Sequence, residues 1–299
     1  MTLQPVLVTG AGGFIGRALV GRLRAAGAEV VRVRDLARDP VWDGAARRCG
    51  GMVHLANIAH ARVDRAELER VNVEGTRRLA EQALAAGVRR FVYVSSIKVH
   101  GNESPAGGFS AASAFDPADA YGETKARAER ALRELEAQGL QLTILRPPLV
   151  YGASVRANFL ALARAIDRRL PLPLASVRNR RSLIYVGNLA DAIVRCLEAP
   201  ASVGRAYPLS DEGAAPSTPE LCVALGNALG RPARLVRCPP SLLEIAAALV
   251  GRRAAALSLT RNLEVDGSDF RRLGWRAPYT LADGLRATAE WFRGGKAPG

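Results

Sequence analysis

Lysine is nearly absent from this sequence of 299 residues. The 42 lysines and arginines include only Lys98, Lys125 and Lys296, so the other 39 are arginines. The formal net charge of +14 would indicate a nucleic-acid-binding surface if the basic residues were clustered. The arginines are instead spread along the chain as single residues and pairs, so we interpret the charge as a solvated surface and predict no nucleic-acid partner. Because lysine is so scarce, each position that keeps it merits attention.

Signals for metals, disulfides and membranes are also missing. The four cysteines form no Cys-x-x-Cys pair and the three histidines lack metal-ligand spacing, so we predict reduced thiols and no metal site. The longest uncharged run, Met1–Gly16, has no basic leader and is broken by glycines. This predicts a cytoplasmic protein without a membrane partner. The apolar segment Ser241–Val250 is short and contains Glu244, which predicts a packed helix.

Alternating strand and helix patterns predict an α/β fold. Short apolar or β-branched runs predict five strands, over residues 5–9, 29–34, 51–56, 88–95 and 140–145. Helical patterns lie between some of these runs, over 64–86 and 120–138. This alternation is typical of a Rossmann-like, doubly wound parallel sheet.

The pattern changes after Arg146, where helices dominate. These predicted helices span about 155–169, 188–198, 218–230, 241–250 and 281–293. They indicate a smaller, mostly helical C-terminal substrate lobe beside the sheet. We therefore predict a dinucleotide-binding domain over 1–152, to which 183–200 returns, and a substrate-binding lobe made of 153–182 and 201–299.

A glycine-rich loop follows the first predicted strand and precedes a helix. Gly10, Gly13 and Gly16 have the spacing G-x-x-G-x-x-G, a variant of the dinucleotide-binding fingerprint. The first glycine permits a tight turn, the second lets the backbone approach a pyrophosphate, and the third lets the helix pack close to the sheet. Because the strand, the loop and the helix agree, we predict that this loop binds a dinucleotide.

Tyr121 and Lys125 are spaced so that they share one face of a predicted helix. A free tyrosine has a pKa of about 10, and a nearby ammonium group lowers it towards neutral pH. We therefore expect Lys125 to lower the pKa of Tyr121, so that Tyr121 acts as a general acid or base. Ser96 lies just after the preceding strand, where ligands bind in an open parallel sheet, and its hydroxyl can polarise a carbonyl group.

Together these residues resemble the extended short-chain dehydrogenase/reductase family, in its nucleotide-sugar epimerase, dehydratase and reductase branch. The glycine loop looks like the cofactor loop of that family, and Tyr121 with Lys125 looks like its Tyr-x-x-x-Lys pair. The remaining motifs that carry the resemblance are His54–Asn57, Asn72–Thr76, 145–152, Asn158 and 181–191. The most similar subgroup contains proteins like UDP-hexose 4-epimerase and reductases of UDP-4-keto-6-deoxy-N-acetylhexosamine.

The resemblance implies NAD- or NADP-dependent hydride chemistry at C4 of a UDP-sugar, in surface polysaccharide biosynthesis. It implies Ser96, Tyr121 and Lys125 as catalytic residues, and Ser96, Asn158 and Arg181 as substrate-binding residues, with Arg181 on the diphosphate. It further implies a homodimer that forms through the helix at 120–138. The implied cofactor-binding residues are Gly10, Gly13, Phe14, Ile15, Gly16, Arg34, Asp35, Leu55, Ala56, Asn72, Tyr121, Lys125 and Pro148.

The sequence departs from the family pattern between Gly16 and His54, where the segment is too short for two strands and their connections. In one alignment Glu29–Arg34 is strand two, and Arg34 at its tip suits the 2′-phosphate of NADP. In the other, which we favour, Asp35 ends strand three, strand two is mostly missing and Asp35 contacts adenine. His100 and Gly187 also differ from the family's usual tyrosine and aspartate.

Two other functions stay open at this point. The short segment after Gly16 favours a degenerate or non-catalytic cofactor-binding paralogue, because a fold does not determine a function. A reductase that acts on a non-nucleotide carbonyl substrate is also compatible with Ser96, Tyr121 and Lys125. Arg181 argues against that reductase, because a forked guanidinium group suits a diphosphate.

Overall fold

A computed structural model describes residues 4–33, 47–58 and 64–295 of the chain. Its strands, in chain order, are β1 Val6–Thr9, β2 Val30–Val33, β3 Gly51–His54, β4 Arg90–Val94, β5 Gln141–Arg146, β6 Leu149–Tyr151, β7 Pro171–Leu172, β8 Leu183–Tyr185, β9 Arg205–Pro208 and β10 Arg234–Leu235. Six of them form a parallel sheet in the order β2-β1-β3-β4-β5-β9. Two small parallel sheets pair β6 with β8 and β7 with β10.

The helices lie on both faces of the main sheet and in the second lobe. In chain order they are α1 Phe14–Ala25, α2 Arg65–Glu69, α3 Gly75–Ala85, α4 Ala120–Glu134, α5 Ala157–Asp167, α6 Val186–Glu198, α7 Thr218–Leu229, α8 Pro240–Leu249, α9 Arg253–Thr260, α10 Ser268–Arg271 and α11 Leu281–Arg293. A single π-helical turn, Arg70–Glu74, joins α2 to α3. No described helix is long and apolar enough to cross a membrane.

Apolar side chains on the two faces of the main sheet bury separate clusters. On one face α1 and α6 pack together, and Asp191 of α6 bonds Nε of Arg22 in α1 at 2.8 Å. On the other face α3 and α4 cover the sheet. The central strands β1, β3 and β4 are buried along their whole length, as expected for a parallel sheet between two helical layers. The predicted Rossmann-like fold is confirmed.

A third apolar cluster lies in the C-terminal part of the chain, where α5, α7 and α11 pack against one another. The sequence pattern placed residues 201–299 wholly in this lobe, but β9 lies in the main sheet beside β5. The helix α6 precedes β9 and leads the chain back to the edge of the main sheet beside β5. We keep the two-domain division as a proposal, with β9 moved to the sheet.

The strand after α1 lies at the edge of the main sheet. Only residues 26–29 separate α1 from β2, so the chain reaches no further than the neighbouring position, and β2 pairs in parallel with β1. β3 pairs with β1 on its other side. Val30–Val33 therefore lies beside β1, where the first alignment places strand two, and the assignment of Asp35 in the second alignment stays a prediction. Arg34 and Asp35 themselves lie outside the described residues.

Candidate active site

The glycine loop connects β1 to α1 at the carboxyl end of the sheet. Gly10 has a φ of +66°, and a side-chain carbon there would lie 2.9 Å from the backbone nitrogen of Ala56. A side-chain carbon at Gly16 would overlap the carbonyl oxygen of Gly10 and lie 2.7 Å from Cα of Ala11. The loop thus touches both the helix and the turn after β3, at distances that only glycine allows.

The N-terminus of α1 opens onto this loop. Its N-cap is Gly13, which has no side chain to accept hydrogen bonds from the first turn. The first N–H groups of a helix are unsatisfied within the helix and carry partial positive charge, so this end suits a phosphate group. Phe14 packs partly against the third apolar cluster, in the C-terminal lobe, which we call the lobe cluster. Ile15 packs partly against the cluster on the face of the sheet that α1 and α6 cover. The loop therefore fits the diphosphate of a dinucleotide.

Residues after β3 and β5 complete this end of the sheet. The backbone N–H groups of Leu55 and Ala56 each donate to Oγ1 of Thr9 at 3.2 Å, which holds the turn beside Gly10. Pro148 lies two residues after the end of β5 and is buried. The predicted cofactor residues after β1, β3 and β5 thus follow the carboxyl ends of three strands of the main sheet, as ligand-binding residues do in open parallel sheets.

Asn72 joins this turn to the helix that carries Tyr121. Its side chain accepts from the backbone nitrogen of Ile58 at 2.8 Å and donates to the carbonyl oxygen of Ile58 at 2.9 Å. It also donates to Oγ1 of Thr124 in α4 at 3.2 Å. Asn72 is the buried residue of the π-helical turn, an irregularity that is frequent at functional sites. Asn72 therefore acts as a brace between the β3 turn and α4.

Tyr121 and Lys125 lie on the same face of α4, as the spacing predicted. Asp119 caps this helix, because its Oδ1 accepts from the backbone nitrogen of Gly122 at 2.8 Å. Lys125 is 1% exposed, and its Nζ donates to the carbonyl oxygen of Val94 at 3.0 Å. The same Nζ lies 5.9 Å from the centre of the Tyr121 ring. An ammonium group has three donors, so Lys125 retains donors for a ligand beside Tyr121.

The direction of the Tyr121 pKa shift corrects our expectation. Burial raises the pKa of Tyr121 above its usual value, and the charge of Asp119 raises it further. Burial also lowers the pKa of Lys125 to about 7, although Glu129 opposes this shift. Lys125 is buried and Tyr121 is half-buried, and for each group the loss of hydration is the largest cause of the shift. Tyr121 is held as a protonated phenol here, and a further positive charge at the site is needed before it serves as a base.

Ser96 and Ser95 end β4 beside this pair. Ser96 is partly exposed and caps a short 3-10 turn, where its Oγ accepts from the backbone nitrogen of Lys98 at 3.3 Å. The Ser95 hydroxyl is buried and has no hydrogen-bond partner in the structure. Since Ser96 keeps a free O–H and faces solvent, it is the one of the two that suits a substrate oxygen.

Lys98, which the sequence analysis left without a role, binds the cap of α4. Its Nζ lies 2.6 Å from Oδ2 of Asp119, and this contact helps to lower the pKa of that carboxyl group. Asp119 is also the charge that raises the pKa of Tyr121. Lys98 therefore neutralises the carboxylate that most disfavours the phenolate. Residues 98 and 119 are 21 apart in sequence, so no local pattern shows this contact.

His54 is a second residue whose role the sequence did not show. Its Nδ1 lies 2.7 Å from Oγ1 of Thr9 and its Nε2 lies 2.9 Å from Oγ1 of Thr76, so both ring nitrogens are occupied. Burial, helped by the charge of Lys125, lowers the pKa of His54 to about 3. The neutral ring thus joins β1, β3 and α3, and it is a structural group rather than an acid or base at neutral pH.

His100, which departs from the family pattern, belongs to a buried network of hydrogen bonds. Arg146 bonds Glu129 through two of its nitrogens, at 3.1 and 2.6 Å, and its third lies 3.0 Å from Nε2 of His100. Nδ1 of His100 donates to the carbonyl oxygen of Ala114 at 2.8 Å, and burial lowers the pKa of His100. The neutral ring accepts a hydrogen bond from Arg146. His100 thus connects Arg146 in β5, which pairs with Glu129 of α4, to the loop that contains Ala114.

Gly187 departs from the family pattern because its position has no space for a side chain. A side-chain carbon there would lie 2.5 Å from the ring of Tyr185 and 3.2 Å from that of Tyr279. These two rings pack edge to face, with their centres 5.4 Å apart. The aspartate usual in the subgroup would therefore require the ring of Tyr185 to move.

The two residues predicted to bind substrate, Arg181 and Asn158, both border α9. Arg181 donates to the carbonyl oxygen of Arg261 at 2.8 Å, and burial lowers its pKa to about 10. Asn158 is exposed at the start of α5, with its Nδ2 3.5 Å from Oγ of Ser258. Among the described residues no carboxylate pairs with Arg181. A partly buried arginine without a counter-ion suits an anionic ligand.

Comparisons with known proteins agree with this geometry. A profile of the NAD dependent epimerase/dehydratase family matches residues 6–209. A UDP-glucose 4-epimerase of Vibrio cholerae is 34% identical, over 97% of this chain and 95% of its own. A ceramide reductase of Caulobacter vibrioides is 30% identical, over 96% of this chain and 94% of its own. The structure of MoeE5 in complex with UDP-glucose and NAD is 25% identical with a TM-score of 0.77, over 98% of this chain and 100% of that one.

Proposed function

Because the chain belongs to the NAD-dependent epimerase/dehydratase family, we propose that it is a 4-epimerase that transfers hydride at C4 of a UDP-hexose. The observation that carries this proposal is the placement of Ser96, Tyr121 and Lys125 at the end of β4 and the start of α4. The full-length similarity to a UDP-glucose 4-epimerase supports the reaction and the substrate class. From the sequence resemblance we keep the expectation that the product enters surface polysaccharide synthesis.

The residues present fit a nicotinamide dinucleotide at two places. The loop at Gly10–Gly16 and the N-terminus of α1 would hold the diphosphate, and Lys125 would hold the hydroxyls of the nicotinamide ribose with its remaining donors. The oxidised cofactor, when bound, supplies a hydride acceptor and a positive charge. Arg34 and Asp35 stay predicted contacts for the adenosine half, and NAD and NADP both remain compatible with the described residues.

In the proposed reaction Tyr121 moves a proton at the 4-oxygen of the sugar. Tyr121 accepts the 4-hydroxyl proton as hydride leaves C4, and it returns that proton when hydride is delivered to the opposite face of the 4-keto sugar. Ser96 donates a hydrogen bond to the same oxygen and stabilises the charge that develops there. Lys125 places positive charge beside the phenolate. This charge lowers the pKa of Tyr121 and so opposes the increase that burial causes.

Removal of Lys98 tests how the charge of Asp119 controls Tyr121. Lys98→Met leaves that charge without its partner, which raises the pKa of Tyr121 further and moves the acidic limb of the kcat/KM profile to higher pH. A partly exposed ion pair of this kind is worth about 0.2–1 kcal/mol, so we expect a roughly two- to fivefold loss of kcat/KM on that limb. The loss should vanish at high pH, and Lys98→Arg should restore the profile. An equal loss at every pH would contradict the electrostatic role.

Arg181 supplies a test of the diphosphate site. Arg181→Met removes a charge-assisted hydrogen bond, so KM for the UDP-sugar should rise about 10- to 100-fold with little change in kcat. The matched control is Arg180→Met, because Arg180 is the neighbouring residue and pairs with Glu220 at 2.9 Å. Steady-state kinetics that show equal effects for the two variants would contradict the assignment of Arg181.

Product analysis tests the reaction itself. The purified protein is incubated with UDP-glucose and with UDP-N-acetylglucosamine, without added cofactor, and the sugars are followed by NMR. We expect the C4 epimer to appear, because an epimerase returns the hydride that it removes. A 4-keto-6-deoxy UDP-sugar with NADH and NADPH forms the second arm. Consumption of reduced cofactor in that arm, without epimer in the first, would replace the epimerase by a 4-ketoreductase.

A reductase of a non-nucleotide carbonyl compound is the second candidate function. The ceramide reductase relative favours it, since it matches this chain over nearly the same length at 30% identity. The two candidates share Ser96, Tyr121 and Lys125 and differ in whether the substrate carries a diphosphate. Arg181 therefore distinguishes them: a reductase of this kind should be insensitive to Arg181→Met.

We also propose the homodimer implied by the resemblance, with α4 at its interface. The outer side of α4 carries charged residues, and Arg127 pairs with Glu69 of α2 at 2.8 Å. An interface at α4 would have charged side chains at its edge. It would contain four helices, two from each copy, and α4 would be one of the two. Sedimentation velocity should then give a dimer, which an Arg127→Glu variant weakens.

A further inference from the structure

The segment that the sequence predicted to be a packed helix is helical but not packed. The helix α8, Pro240–Leu249, has no buried residue. It contacts α9 after a turn at 250–252, so the two helices form a hairpin. Only the inner side of α8 meets the lobe, where Leu243 packs partly into the lobe cluster. A short apolar helix has the same residue pattern whether it is covered or exposed, so the sequence could not distinguish the two.

The outer side of α8 is apolar, and its exposure increases towards the turn. Leu242 is 57% exposed, Ile245 60% and Leu249 84%, and Val250 in the turn is 70% exposed. Residues 242, 245 and 249 have the i, i+3, i+7 spacing of one helical face. We name Leu242, Ile245, Leu249 and Val250 the hairpin patch. Side chains of this size exposed together on one element mark a binding surface.

The exposed charged residues that flank α8 along the described chain, from Arg237 to Arg253, are arginines. Arg252 is the last residue of the turn, Arg253 begins α9, and Arg237 lies just before α8. The acidic residue of the helix, Glu244, is turned to the inner side, where it bonds Thr260 at 2.7 Å and Arg261 at 3.0 Å. The apolar tip of the hairpin and the arginines beside it are complementary to a partner that has an apolar interior beneath an anionic surface layer.

We propose that the hairpin patch docks this enzyme on an anionic lipid bilayer. Leu249 and Val250 would enter the boundary between headgroups and acyl chains, and Arg252 and Arg253 would bind lipid phosphates. The apolar side chains are most exposed at the tip of a projecting turn, and a soft bilayer accepts such a tip. A second protein would need a fitted pocket to cover it. This proposal concerns the surface alone and does not depend on the reaction that the site catalyses.

Docking at this place would also orient the candidate active site. The hairpin continues through α9 to Ser258 and Arg261, which contact Asn158 and Arg181. The candidate diphosphate-binding residues therefore lie at the base of the same hairpin. A bilayer at the tip would hold the substrate lobe, rather than the sheet, towards the membrane surface.

Vesicle co-sedimentation tests the proposal. The full chain is mixed with vesicles of phosphatidylglycerol and phosphatidylcholine, and separately with vesicles of phosphatidylcholine alone, in 0.1 M salt. We expect the protein to sediment with the anionic vesicles and to bind the neutral ones at least about tenfold more weakly. Leu249→Glu combined with Val250→Glu should reduce binding to the anionic vesicles at least tenfold, because it places charge at the inserted tip. Arg252→Gln combined with Arg253→Gln should reduce it by a similar factor.

Two controls separate docking by the hairpin patch from general attraction to a protein of charge +14. Val223→Glu changes an apolar residue of α7 that is 46% exposed, and Arg77→Gln with Arg78→Gln removes an exposed arginine pair of α3. Both should leave vesicle binding within about twofold of the wild type. Equal losses in the control and patch variants would overturn the proposal, as would binding that ignores all of them. Wild-type self-association that the patch variants abolish, with no vesicle binding, would assign the patch to a second copy of the chain instead.

Discussion

Tyr121→Phe is expected to reduce kcat by about 10³-fold, within the 10²- to 10⁴-fold range that general acid–base groups contribute. The substitution keeps the ring, which lies beside Nζ of Lys125, and removes only the oxygen that exchanges the proton. No other described side chain on this face of α4 offers a proton at the same place, since Lys125 lies deeper and bonds the carbonyl oxygen of Val94. The affinity for the dinucleotide and the melting temperature should change little.

Tyr93→Phe is the matched control for this variant. The Tyr93 ring lies 4.7 Å from Nζ of Lys125, in the same cluster, but its hydroxyl is buried in β4 and is assigned no part in the reaction. Its kcat should stay within about threefold of the wild type. Steady-state rates that place Tyr121→Phe within tenfold of the wild type would exclude Tyr121 as the acid and base.

Gly16→Ala is the substitution with the largest expected effect on cofactor binding. The added carbon would overlap the carbonyl oxygen of Gly10 and the backbone of Ala11, and neither can move without opening the loop. Overpacking of this kind costs about 1–3 kcal/mol of unfolding free energy. Because the displaced loop is also the candidate diphosphate site, the Kd for NAD or NADP should rise at least about 10- to 100-fold.

The control for Gly16→Ala lies in the same helix. Gly21 is exposed on α1, and a side-chain carbon there meets no atom within 4 Å. Gly21→Ala should stabilise the protein slightly, by about 0.5–1 kcal/mol, because alanine favours the helix. Its cofactor affinity should not change. Titration calorimetry and thermal unfolding of the two variants check both results, and equal affinities for the dinucleotide would contradict the assigned loop.

The parts of the fold that follow from local pattern were predictable. The apolar strands β1, β3, β4 and β5 and the long helices α4 and α11 coincide with their predicted ranges, because period and length identify them. The strands β6 to β10 were missed: β6, β7, β8 and β10 span only two or three residues, and β9, which is as long as β1, begins with the charged Arg205 and ends with Pro208 instead of forming a continuous apolar run. The sequence left two alignments open for the strand after α1, and the structure places that strand beside β1.

In the candidate site, too, some features follow from local sequence pattern and others do not. The spacing of Tyr121 and Lys125 predicted their shared face, but the direction of the Tyr121 pKa shift depends on burial, which spacing does not reveal. The contact of Lys98 with Asp119 joins two loops that are distant in sequence. The scarcity of lysine nevertheless pointed to Lys98 and Lys125 as positions to examine.

We propose that the chain removes and returns hydride at C4 of a UDP-sugar while Tyr121 moves the proton. The most direct test uses UDP-glucose deuterated at C4, incubated with the wild-type protein and with Tyr121→Phe, and analysed by NMR. We predict a slower reaction than with the undeuterated sugar, and an epimer that retains deuterium at C4. Tyr121→Phe should form almost none of it. An epimer that has lost its deuterium to water, or equal turnover by Tyr121→Phe, would contradict this mechanism.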